Sequence, residues 1–245
     1  MTYHTNEVMM EDPDFPRPQG ALPVWSQVFT KPGEATFARI TAHPEATAKA
    51  AYIWVFIAGT LSGLINSLLQ TLVTLAGIQQ AAPNYGGMPS MPAAYGLGGL
   101  IGAICAAPVA GLASVIGFAI GVAIVHATAR FFGGEGSFDR MAYAFGAIAA
   151  PISLISALTI PLNAIPFVVF CTAPVMIALS LYAVYLQVAA IKAVHRLGWG
   201  ESVGALFLPA ILFALLCGVL FLVLMRVLGP SVMEIFQQIQ QGLPR

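Results

Sequence analysis

Charge is what this sequence lacks most. Asp, Glu, Lys and Arg make up 8% of its 245 residues, where a soluble domain carries roughly a quarter. Between Lys49 and Lys192 the only ionised side chains are Arg130, Glu135, Asp139 and Arg140. A water-facing surface cannot be built from such a chain. The formal net charge is zero and no Lys/Arg-rich run occurs, so the electrostatic footprint of a nucleic-acid binder is missing. Cysteine pairing is missing too. Cys105, Cys171 and Cys217 lie singly inside apolar runs, without metal-ligand or disulfide spacing, and read as small apolar filler. The opening Met-Thr-Tyr-His-Thr-Asn-Glu has neither the basic n-region nor the apolar h-region of a signal peptide. The first span is therefore expected to act as its own targeting signal.

Catalytic signatures are also absent. There is no His-Glu-x-x-His, no Gly-x-Ser-x-Gly and no Walker-type loop. Gly133-Gly134-Glu135-Gly136 does not follow a strand pattern and no Lys-Ser/Thr follows it, which argues against a phosphate cradle of that type. His4, His43, His126 and His195 are scattered. His126 and His195 both fall at inner helix ends and could approach each other, but two histidines alone do not make a metal site. The sequence points to no catalytic residues, no metal and no cofactor.

What the chain has in abundance is apolar length. Hydrophobic residues make up 58% of it, in repeated runs of the length that crosses a bilayer. The spans are expected at about 50–78, 98–130, 141–160, 167–194 and 205–228, with Pro151 and Pro174 inside the third and fourth. The second is roughly 50 Å long as a helix, so it must tilt, break near Pro108 or project beyond the hydrocarbon. Pro-punctuated segments at 79–96 and 161–166 read as loops, and 195–203 as a third. Residues 1–23 are acidic and Pro-bearing and read as a flexible tail. Residues 24–49 mix Trp25, Val28, Phe29, Phe37 and Ile40 with Gln27, Lys31, Glu34 and Arg39, as in a helix lying in the membrane interface. Pro32 is expected in that helix's first turn. Residues 229–245 read as a short amphipathic C-terminal tail. The predicted fold is all-α: a polytopic bundle of five transmembrane helices over residues 50–228, preceded by a short interfacial helix.

The first span separates into two faces. Ser62, Asn66, Gln70 and Thr74 recur every four residues, and Gly59, Gly63, Ser67 and Thr71 share their half of the helix. Amides facing lipid are costly, so this stripe should point into the bundle, either as interhelical hydrogen bonding or as the lining of a polar path. The small pairs Gly59/Gly63 and Gly117/Gly121, with Gly146 in the third span, predict close packing of the first three spans. With the N-terminus inside, the inner segments hold Arg17, Lys31, Arg39, Lys49, Arg130, Arg140, Lys192 and Arg196, and the outer ones only Arg226 and Arg245. Trp25, Trp54 and Trp199 fall at the same inner interface. Both patterns predict N-terminus in, C-terminus out. Two inner loops then meet. One carries Glu135, Asp139 and Arg140, with Ser137 as the helix N-cap; the other carries His195, Arg196 and Glu201. This is the charged surface at which a protein partner would dock.

Several stretches resemble a known family. They are Val-Trp-Ser-Gln-Val-Phe-Thr-Lys-Pro-Gly-Glu-Ala-Thr-Phe-Ala-Arg-Ile before the first span, Gly-Gly-Glu-Gly-Ser-Phe and Ala-Tyr-Ala-Phe-Gly-Ala-Ile-Ala-Ala-Pro into the third, and Ala-Val-His-Arg-Leu-Gly-Trp-Gly-Glu-Ser before the last. Over about Val24 to Leu228 the chain looks like the Yip domain family of membrane proteins that interact with Ypt/Rab GTPases, and more like its bacterial branch. The resemblance implies five spans, a cytoplasmic N-terminus and no catalytic residues. Eukaryotic relatives act in vesicle trafficking and membrane shaping and contact small GTPases; that GTPase role is not carried to the bacterial branch. The reading that follows is a non-enzymatic membrane scaffold or accessory subunit, in a bacterial cytoplasmic membrane, with the lipid bilayer and a protein partner or a second copy as its contacts. The alternative is a small-solute channel or transporter lined by the polar stripe.

Overall fold

The structure is a computed structural model that describes residues 20–75, 97–159 and 167–241. The acidic tail as far as residue 19, the loops at 79–96 and 161–166, and residues 242–245 lie outside the described residues. The described chain is helical throughout: α1 (Ala21–Thr30), α2 (Glu34–Ala42), α3 (Ala48–Leu75), α4 (Leu97–Phe131), α5 (Phe138–Thr159), α6 (Val168–His195) and α7 (Trp199–Gln241). Five of these, α3 to α7, are long and apolar enough to cross a membrane. The chain is an all-helical integral membrane protein.

α5 is the hub. From Met141 to Ile148 every residue is buried, whichever side of the helix it faces. That requires neighbours on all sides, and the small residues Ala142, Ala144, Gly146 and Ala147 let them come close. α3 is one neighbour: a Cβ placed on Gly146 would fall 2.7 Å from the Ala51 Cβ. α3 in turn lies against α4, with Gly59 facing Gly111 and Ser114, and Gly63 facing Ala110. Gly117 and Gly121 do not share this role. A Cβ at either would meet nothing within 4 Å; both face out of the bundle. Gly111, which the spacing of small pairs passed over, is the α4 glycine pressed against the α3 backbone at Phe56.

The N-terminal segment departs from the sequence expectation. It forms two helices rather than one, and Pro32 lies in the link between them, with Gly33 as the N-cap of α2. Both helices also pack on the bundle. Val24, Val28, Phe37 and Ile40 are 0–2% exposed and join one core with Met141, Ile148, Leu186 and Ile191. The physical reason is the apolar spacing: both helices carry a buried stripe, and α5 and α6 supply the surface that receives it. Tyr182 of α6 donates to the Phe29 carbonyl at 2.8 Å, and Lys192 of α6 pairs with Glu34.

The second span is a single helix of 35 residues that runs unbroken through Pro108. The last is longer still. α7 starts at Trp199 rather than near Ala205, so the linker after α6 is Arg196-Leu197-Gly198 and not the longer loop expected to Val203. Gly198 and Gly200 look like breakers in sequence. However, Gly198 occupies the N-cap, and Glu201 reaches back to accept its N–H at 2.9 Å, the N3-to-N-cap half of a capping box. α7 then continues past Leu228 to Gln241, so the predicted C-terminal tail extends the last helix.

Candidate functional site

The charged residues of the α4–α5 and α6–α7 turns meet at one end of the bundle, where α4 and α6 finish, α3, α5 and α7 begin, and α1 and α2 dock. The turn after α4 has left-handed Gly133 (φ 90°), a conformation that L side chains resist. Beyond it the chain presses directly on the end of α6. A Cβ on Gly134 would sit 2.7 Å from the His195 Nδ1, and one on Gly136 2.5 Å from the Val194 carbonyl oxygen. Glycine is what allows this approach.

His195 is the pin of this junction. It is 1% exposed. The Gly136 N–H donates to its Nδ1 at 3.2 Å, and its Nε2 lies 3.3 Å from the His126 Nδ1. A backbone N–H only donates, so in the neutral ring the His195 proton is on Nε2 and is donated to His126, whose own proton is then on Nε2. The Glu135 N–H also meets the His195 carbonyl at 3.4 Å, and the His126 ring stands edge-on to Phe138. One relay therefore joins the α4 end, the α4–α5 turn and the α6 end. No group of three or more His, Cys, Asp or Glu side chains among the described residues is placed to hold a metal.

Other polar groups hold the same end together. Asp139 accepts the N–H of Ala48 at 3.1 Å. A carboxylate thus sits at the start of α3, where free N–H groups and the helix dipole favour negative charge. Thr128 of α4 donates to the Ala205 carbonyl of α7 at 2.7 Å. Lys192 stands 5.2 Å over the Trp199 ring, which itself stacks on Tyr185. Trp25 meets Trp54 edge-on, and Trp54 leans on Tyr143. All three tryptophans thus gather at this end.

The loop residues named from sequence therefore separate. Asp139, Glu201 and His195 are engaged in capping and pinning. Glu135, Arg140 and Arg196 line a common polar cavity of about 440 Å³ with Gly136, Ser137 and Val194. Among the described residues none of the three ionised groups has an ion-pair partner. Arg196 is also the one non-glycine residue with positive φ among the described residues (φ 56°, ψ 35°). It holds the left-handed C-cap position where glycine is the usual occupant.

The polar stripe of α3 is divided in the same way. Ser62 donates to the Ser153 carbonyl of α5 at 3.0 Å. The Asn66 Oδ1 is buried with no hydrogen-bond partner among the described residues, as is the Thr60 Oγ1. The side chains of Gln70 and Thr74 lie outside the described part. Sequence reasoning missed Thr60, Thr128 and the long-range role of Asp139; only the pairing of α3 with α4, of α4 with α7 and of α3 with α5 makes them visible.

The family comparison now has its setting. The family model described as Yip1 domain matches residues 26–234. The chain belongs to the Yip1 domain family. No curated protein and no solved structure matches it. The match starts inside α1 and ends inside α7, so the second half of α1, all of α2 and the five candidate spans fall within the Yip1 domain.

Proposed function

We propose that this Yip1 domain protein is a non-enzymatic membrane scaffold or accessory subunit. The single observation behind this reading is the use of the polar groups at the charged end. His126, His195, Thr128, Asp139 and Glu201 all bond to backbone or to each other. A reaction site pairs a base with a nucleophile or a substrate position; here the bonds run to backbone groups and between two histidines, and they fasten helices. The uncommitted charges, Glu135, Arg140 and Arg196, face outward around one cavity. The charged end faces the cytoplasm of a bacterial cell, with the N-terminus in and the C-terminus out, as the distribution of Lys and Arg favours. The partner contacts the inner loops, and its helices lie beside the lipid-facing spans. Gentle detergent extraction followed by mass spectrometry tests this: a stoichiometric protein partner or a homo-oligomer is expected. Reproducible recovery of a lone monomer sinks the subunit reading.

One observation favours a second reading, a solute path along α3. Asn66 carries a buried carbonyl with no partner among the described residues, and buried polar groups ordinarily find a partner. A passing solute or water would supply one. Asn66→Leu in the full chain separates the two: a scaffold still assembles with its partner, whereas a solute path stops conducting in reconstituted vesicles.

A further inference from the structure

The cavity between the α4–α5 turn and the α6 C-cap has an unusual lining for a membrane protein. Its lining residues include two arginines, Arg140 and Arg196, one glutamate, Glu135, and one serine, Ser137, around about 440 Å³. Among the described residues these charges do not neutralise each other by direct pairing. Guanidinium groups match the oxygens of a phosphate, often two at a time. A carboxylate in the same cavity opposes a bare phosphate, because like charges side by side are costly. It suits an N–H-bearing cation held close to that phosphate. The cavity also opens at the start of α5, the helix end whose dipole favours anions. It lies at the end of the bundle where the spans finish, which is headgroup level for a protein in a bilayer.

We infer that this cavity binds a phosphoethanolamine group, Arg140 and Arg196 taking the phosphate and Glu135 the primary ammonium. The group has two sources, an ethanolamine phospholipid from the bilayer or a water-soluble phosphate ester. Phosphatidylglycerol offers the phosphate without the ammonium. Phosphatidylcholine offers a cation without an N–H to donate. The inference rests on the cavity and not on the scaffold reading. It is measured on the isolated chain, where partner capture plays no part, so either can fail while the other stands.

The test is lipid retention by the full chain, purified in detergent and incubated with ethanolamine, glycerol or choline phospholipids of identical acyl chains, read by native mass spectrometry. The ethanolamine lipid should be retained roughly tenfold more than the others, the scale of one charge-assisted hydrogen bond. Soluble phosphoethanolamine in a parallel arm shows whether the headgroup alone displaces it. Displacement at millimolar concentration assigns a soluble source, and no displacement assigns the lipid. Glu135→Gln should bring glycerol lipid retention up to that of ethanolamine lipid. Arg196→Gly relieves a left-handed backbone and should unfold no earlier on heating, while losing most of the retained lipid. That combination separates binding from folding. Equal retention of all three lipids by the unaltered chain, with no binding of soluble phosphoethanolamine, overturns the inference. So does an Arg196→Gly chain that keeps the original preference.

Discussion

α5 and α7 are both apolar membrane helices, yet they live in different surroundings. Over its best membrane window α5 is 56% buried inside the protein, and α7 0%, although α7 has the higher hydropathy, 2.9 against 1.8. The difference lies in side-chain size. From Met141 to Ile148 α5 reads Met-Ala-Tyr-Ala-Phe-Gly-Ala-Ile, where small residues alternate with large and let α1, α3 and α6 close around it. α7 from Phe207 to Met225 is mostly Leu, Phe, Val and Ile, and these point outward around the whole helix. In water, hydropathy reports burial in the protein. In lipid it reports only residence in the bilayer, and small residues mark where helices meet. α7 is held through its first two turns, by Ser202, Gly204 and Ala205.

The largest effect that would test this contrast comes from the docked N-terminal segment. Phe37 of α2 is 0% exposed, whereas Phe213 of α7 is 68% exposed. Phe37→Ala should destabilise the protein by about 3–5 kcal/mol, and Phe213→Ala by less than about 0.5 kcal/mol. Thermal unfolding followed by size-exclusion chromatography reads both. Equal shifts for the pair would dissolve the distinction between the core around α5 and the lipid-facing helix.

A somewhat smaller effect is expected from filling the hub. Gly146→Leu drives a side chain into Ala51 of α3 and should cost about 1–3 kcal/mol. Gly218 in α7 has nothing within 4 Å of an added Cβ, so Gly218→Leu should leave the melting temperature unchanged. At the charged end, His195→Leu leaves the Gly136 N–H buried without its acceptor, at a cost of about 1–3 kcal/mol. Asp139→Ala removes only the acceptor at the start of α3 and should cost about 0.5–2 kcal/mol, as loss of a capping side chain does. If His195→Leu melts with the unaltered protein, the relay does not fasten the three elements.

The sequence told most where one dimension suffices. Apolar run lengths placed five spans, because each must cross the bilayer by itself. Gly133 and Ser137 marked the turn between α4 and α5, because turn and cap chemistry is local. Proximity of His126 and His195 was legible for a related reason: both sit at helix ends that topology brings to one side. Roles that depend on which helices touch were not legible. Asp139 lies 91 residues from the N–H it accepts, and nothing near it in sequence names Ala48. The Trp-Gly-Glu-Ser stretch misled, since 195–203 was read as a loop when Trp199 to Ser202 form the first turn of α7, where glycine costs little. The stripe of α3 showed its face but not its neighbours.

Gly117 and Gly121 provide the finest test, and the smallest expected effect. They form the same small pair as Gly59 and Gly63, but nothing among the described residues comes within 4 Å of a Cβ placed on either. Within one molecule, Gly117→Leu and Gly121→Leu should change stability by less than about 0.5 kcal/mol, while Gly59→Leu collides with Ser114 and Gly111 and should cost about 1–3 kcal/mol. The two helices would then rank by their neighbours and not by their motif. The comparison sharpens further when the same variants are examined in the native membrane by cross-linking. A small pair that faces lipid alone tolerates leucine in every assay. A pair seated against another copy or a partner loses its cross-linked species while the purified chain still melts normally. That outcome would place the contact of the proposed assembly on the outer face of α4, beside a bundle that is complete without it.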